Sequence, residues 1–300
     1  MKKDIVLLVT FLLALSCQKE QVATGSLEGQ KQFKLTVEAT KGTPTKALSL
    51  EDNTGSGGTE TLHAYWKNGE RVAVYCNGNH LGHLTATVND NDRNKATLSG
   101  TLDSVSGLQD GSQLDLLFPR ADWDYSIQTG AAPSETGDMA TLYDYALATV
   151  TVASVDDQSN TIVPASAASF VNQQNILRFT FEKEGAPFVL KNLQIGDSNN
   201  RLLLKREYKY NGWKNTYGSL YIEPETPTAA PIFVAFRSED TYGGTQPYLF
   251  SAVDTENTLY VGSKSIPELY RKANGVFAST TVSLSKYTIP VEEKTGTSVL

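Results

Sequence analysis

The chain has 300 residues, a net charge of −7 at neutral pH, three histidines and two cysteines. Its acidic and basic side chains are interspersed rather than gathered in blocks, which argues against a nucleic-acid partner. After the N-terminal leader no stretch is long and apolar enough to cross a bilayer as a helix of roughly 20 residues.

Lys2 and Lys3 precede an apolar run over 5–15, then Ser16 and Cys17, the order of parts of a signal peptide. Ala14-Leu15-Ser16-Cys17 resembles the lipobox read by lipoprotein signal peptidase. Residues 1–16 are therefore expected to be removed. Cys17 is expected to carry lipid, and two or three acyl chains give stable anchoring where one is marginal. The polar stretch 17–31 then reads as a lipidated tether. Cys76 is the only thiol left in such a mature chain, so no intramolecular disulfide is available and stability must come from core size.

From residue 32 on, short alternating or β-branched runs are separated by Gly, Asn, Asp and Pro clusters, which predicts half-buried strands and tight turns. In the first half strands are expected at 33–38, 71–75, 84–88, 96–102, 114–118, 148–153 and 176–181. In Arg178-Phe179-Thr180-Phe181 the rings fall at every second position and share one face. Two long loops are expected, one over 40–63 and one over 120–143 carrying Trp123 and Tyr125. Breakers at Glu184-Gly185-Ala186-Pro187 suggest a hinge, which places the first domain at 32–185 and the second at 186–285.

The second half predicts strands at 188–195, 201–207, 218–222, 232–236, 248–253 and 276–284. One helical turn is expected over 265–272, where Ser265 and Glu268 have capping-box spacing and Pro267 sits early. A tail follows over 286–300. The chain is accordingly read as all-β, two β-sandwich domains in tandem, with no repeat of fixed period.

Catalytic constellations are sparse. His80 and His83 sit beside the turn signal Asn77-Gly78-Asn79, with Cys76 the nearest soft ligand, and a metal site wants more than that. No phosphate-cradling loop or nucleophile elbow is present, so no enzyme activity, cofactor or metal is expected. Asp122-Trp123-Asp124-Tyr125 could stack on sugar rings while its carboxylates bind hydroxyls, with Trp213 as a second platform; the alternative is that these rings pack on their own domain.

Tyr65-Trp66-Lys67-Asn68-Gly69-Glu70-Arg71-Val72-Ala73-Val74-Tyr75 resembles the first core strand of the fimbrillin-like proteins of Bacteroides and relatives, in the type V pilin superfamily. The likeness continues in order through the segments beginning at Ala96, Leu117, Asn175 and Ala273. This resemblance implies two transthyretin-like Greek-key β-sandwich domains. It also implies a cell-surface role as subunit, tip or anchor of a fimbria, delivered to the outer membrane through its lipid. In that family a trypsin-like protease removes the first strand, and a donor strand from another fimbrial subunit fills the vacated groove, which is β-strand addition.

Carried onto this chain, the displaced strand presents Phe33, Leu35 and Val37, with cutting after Lys46 or, second, after Lys41. The donor is expected in the tail around Ile289 and Val291. The alternative function is a lipid-anchored protein that binds a host or bacterial surface glycan or protein through Trp123, Tyr125 or Trp213.

Overall fold

The computed structural model describes residues 31–41, 49–51, 61–63, 65–103, 107–134, 136–210, 212–238, 245–268 and 277–288. In chain order the N-terminal elements are β1 (Gln32–Lys41), a short hairpin of β2 (Ser49–Glu51) and β3 (Thr61–His63), β4 (Arg71–Cys76), β5 (Asn79–Asn89), β6 (Asp92–Asp103) and β7 (Gln113–Phe118). Then come β8 (Asp122–Asp124), β9 (Ile127–Gln128), the single turn α1 (Asp138–Thr141), β10 (Ala146–Asp156), β11 (Thr161–Pro164) and β12 (Ala168–Asn172). The remainder is β13 (Asn175–Lys183), β14 (Ala186–Pro187), β15 (Asn192–Asp197), β16 (Leu203–Lys209), β17 (Gly212–Tyr217), β18 (Leu220–Ile222), β19 (Ile232–Phe236), β20 (Thr245–Val253), β21 (Leu259–Pro267) and β22 (Phe277–Lys286). The protein is all-β.

The first sheet has eight strands in the order β11-β1-β12-β10-β7-β4-β5-β6 and closes on itself because β1 also pairs with β6. Within it β7 returns to lie beside β4 while β4, β5 and β6 follow one another, a Greek key. Asn77 and Gly78, both at positive φ, make the β4–β5 turn. Gly78 is required twice over: a Cβ there would lie 2.6 Å from the Tyr210 carbonyl oxygen of the other sandwich. The inward side chains form a core from Phe33 through Trp66, Leu84, Leu98, Leu116 and Phe170.

The second sheet runs β14-β13-β22-β21-β20-β15-β18-β9, with β19 sharing the β14 edge of β13. It is closed by a side chain. Gln128 on β9 donates to the Ala235 carbonyl at 2.9 Å and accepts from the Ala235 amide at 2.8 Å, reproducing a strand partner for the free edge of β19. The core here gathers Phe179, Phe181, Ile195, Val234, Phe236, Phe250 and Val282.

Three expectations are corrected. The division between the cores falls after β12: β13, expected to close the first domain, pairs instead with β19 and β22 of the second. Glu184 and Gly185, read as a hinge, are at φ 53° and 79° in the turn between β13 and β14. The Gly/Pro signal is thus a hairpin, which punctuates a chain as a linker does. The second correction concerns 120–143, which carries β8, β9 and α1 rather than only loop, and lends Trp123, Tyr125, Met139 and Tyr143 to the second core. The third is the start of the helical turn: Ser265 to Pro267 are in β21, in register with β20 over its whole length, and helical geometry begins only at Glu268. A continuous ladder outweighs a local capping signal worth about 1 kcal/mol. Residues 269–272 of that expected turn lie outside the described residues.

The outer face of the first sheet is covered by the second sandwich at β4, β7 and β10, where Tyr75, Leu117 and Leu147 pack against the second core. On β7, Leu116 points into the first core and Leu117 into the second, as period-2 alternation requires. Across the seam Tyr208 donates to Asp115 Oδ2 at 2.5 Å and its ring meets Tyr75 at 5.0 Å. Burial and the Asp115 carboxylate both push the Tyr208 hydroxyl well above the usual phenol range.

Candidate strand-exchange groove

β1 alternates outward and inward along its length, and Phe33, Leu35, Val37 and Ala39 are the inward set, all buried. Fully burying one large apolar side chain stabilises by about 1.5–3 kcal/mol, so this set contributes on the order of 6 kcal/mol gross. That is comparable to the entire net stability of an ordinary domain. The first core therefore needs a strand in this place.

Both edges of β1 are paired. On one side it runs antiparallel to β6 from Gln32 opposite Asp103 to Thr40 opposite Lys95. On the other it runs parallel to β11 at Lys34 and Leu35 and to β12 from Ala39 to Lys41. Outward side chains add rim contacts: Gln32 donates to Asp103 at 3.0 Å, Thr97 donates to Glu38 at 2.8 Å, and Lys31 pairs with Asp157. Take β1 away and an apolar slot remains between β6 on one side and β11 with β12 on the other.

The slot ends in a polar socket. Lys41, the last residue of β1, is 2 % exposed. Its Nζ pairs with Asp144 at 2.7 Å and with Glu70 at 3.5 Å. It also stands 3.7 Å above the Phe118 ring and 5.0 Å from that of Trp66, a cation–π arrangement that gains strength as water is excluded. Trp66 is fixed edge-on between Phe118 and Phe170. Burial pushes the Glu70 carboxyl above its ordinary value, against the Lys41 charge and the Lys67 amide, which hold it down.

Lys41, expected as a loop lysine open to a protease, is therefore corrected: β1 extends to it, and its side chain is withdrawn into the core. The strand's alternation, carried on through Ala39 to position 41, was the signal for this. A Lys at an inward position reads as a strand end unless the paired Asp144, more than a hundred residues away, is known. Lys46, Cys17, Ile289 and Val291 lie outside the described residues.

The expected glycan platforms are corrected as well. Trp123 and Tyr125 are 1 % and 0 % exposed. Asp122-Trp123-Asp124 is β8, paired with β16, so the rings alternate inward and the carboxylates outward. Trp123 donates to the Arg120 carbonyl at 2.9 Å and packs on Tyr145 and Trp213. Trp213 is half-buried beneath the Arg206 guanidinium, 4.2 Å from its ring. Period 2 within Asp-Trp-Asp-Tyr could have shown that no sugar reaches these faces.

His80 meets His83 edge-on at 4.8 Å and lies tilted against Tyr75 at 5.1 Å. Burial, Arg71 and His80 together hold the His83 imidazole below its ordinary value. Among the described residues no three His, Cys, Asp or Glu side chains are grouped to hold a metal ion. Nor, among them, is any helix long and apolar enough to cross a membrane.

No family model matches the chain, and neither does any curated protein. Among solved structures it is similar to a "putative cell adhesion protein" of Bacteroides uniformis, at 13% identity over 84% of this chain and 96% of that one, with a TM-score of 0.42. A protein of the same description from Bacteroides ovatus gives 11%, 85%, 95% and 0.40. The shaft pilin of Lactobacillus rhamnosus GG gives 11%, 86%, 100% and 0.32. These are likenesses of overall shape at low identity.

Proposed function

We propose that this chain is a non-catalytic cell-surface protein of the pilus or adhesin class that assembles by exchange of its first strand. One observation carries the reading. β1 fills a slot paired on both edges, and its inward apolar side chains are all buried there. One cut after Lys46 frees β1 covalently from the body it completes. The cut also separates the body from Cys17, so the lipid serves to deliver the precursor to the outer membrane. Strand addition into the open slot supplies main-chain hydrogen bonds for affinity and inward side chains for register. The incoming strand comes from another fimbrial subunit, and the tail 286–300, with Ile289 and Val291, is this chain's own segment to compare with it.

The test is treatment of the purified chain with a trypsin-like protease. A new N-terminus at Ala47 and loss of residues 31–41 from the body are expected, with oligomers forming once another subunit supplies a donor strand. A chain that stays whole, or is cut yet remains a monomer with β1 in place, overturns the reading.

A further inference from the structure

We infer that the socket occupied by Lys41 selects the incoming strand, admitting one whose inward apolar residues end on a Lys or Arg; this rests on the strand-exchange reading above. When β1 leaves, Lys41 leaves with it. Behind remain Asp144, 4 % exposed in its side chain, and Glu70, 20 % exposed, beside the faces of Trp66 and Phe118. Asp144 Oδ1 is buried without a hydrogen-bond partner even with Lys41 in place, so the socket has accepting capacity to spare. Two carboxylates in apolar surroundings, with two ring faces turned to a cation, are complementary to one basic side chain and hostile to an acidic or apolar one.

The same geometry sets phase. Phe33, Leu35, Val37, Ala39 and Lys41 are successive inward positions, so a replacing strand must bring its basic residue on the face of its apolar ones, one step beyond them. The tail of this chain does not. With Ile289 and Val291 inward, the neighbouring inward positions are Tyr287 and Glu293, while Lys286 and Lys294 fall on the opposite face. That tail would set Glu293 against Asp144 and Glu70. The fitting partner is a strand of a different subunit, with four alternating apolar residues followed in phase by Lys or Arg.

The experiment leaves the receptor unchanged and varies the strand. The full chain is cut by a trypsin-like protease within 42–48, the released segment is removed in mild denaturant, and labelled peptides are titrated by fluorescence anisotropy. A peptide of residues 32–41 should bind, and its Lys41→Arg form should bind within about tenfold of it. Lys41→Met and Lys41→Glu forms should bind about 100-fold more weakly or worse, the scale of an uncompensated buried charge, and the tail peptide 286–295 should be weaker still. Equal binding of the Lys- and Met-ended peptides overturns the selectivity and leaves strand exchange standing. If no peptide binds, or the cut chain never releases β1, strand exchange itself falls, and the selection of a partner falls with it.

Discussion

The two sandwiches complete their cores with equivalent strands held in different ways. β1 has one long antiparallel edge, to β6, and a split parallel edge, to β11 and β12. β13 has one long parallel edge, to β22, and a split antiparallel edge, to β19 and β14. Both bury an alternating row of apolar side chains. The connections separate them: β13 follows β12 after only Gln173 and Gln174, both buried, and turns directly into β14. A strand can be exchanged only if its connections reach a protease, and the buried Gln173 and Gln174 before β13 do not.

Cutting gives the largest expected difference. After one cut within 42–48 and release of the fragment, hydrogen exchange should show β6 and β12 losing protection while β13 and β22 keep theirs. Equal loss in both sandwiches would mean that they unfold as one unit and break the comparison. Next, Phe179→Ala should lower stability by about 4 kcal/mol in chemical denaturation, because a fully buried ring leaves a cavity in the second core that no exchange can fill. Lys41→Ala should cost about 3 kcal/mol in the intact chain by leaving Asp144 buried and unpaired. A loss below about 1 kcal/mol, the usual worth of an exposed pair, would show the socket to be wet.

Gln128→Ala sharpens the comparison from the second side. It removes both partners of the Ala235 backbone, and the expected loss is about 2 kcal/mol, with faster amide exchange confined to β19. The smallest effect is that of pH on Glu70. Its folded pKa lies above the ordinary 4.5, so between the two values the folded state binds more protons than the unfolded one and stability falls as pH rises. Stability curves for the wild type and Glu70→Gln should therefore change relative to each other as pH falls toward 4.5, with the wild type gaining. A difference independent of pH would remove burial as the cause.

Strand content was legible in the chain because alternation is a local property. The strands expected at 33–38, 71–75, 96–102, 114–118 and 176–181 each lie within an observed one. Illegible were β11, β12 and β21, whose Ala, Asn, Lys, Gly and Pro content weakens the β signal, and which are held in place by ladders to distant strands. The candidate groove was half legible. Phe33, Leu35 and Val37 show their inward face by spacing alone. Lys41 does not, since a lysine is buried only when paired and its partner lies at position 144.

By itself, then, the sequence determined the all-β class and the face that each strong strand turns inward, because both depend on neighbours within a few residues. Only the tertiary structure decided which core β13 serves, that the rings of Trp123 and Tyr125 are interior, and that the first strand ends in a charged socket. Those depend on which segments far apart in the chain meet, and partner and register in a sheet are chosen by packing in space rather than by any local pattern.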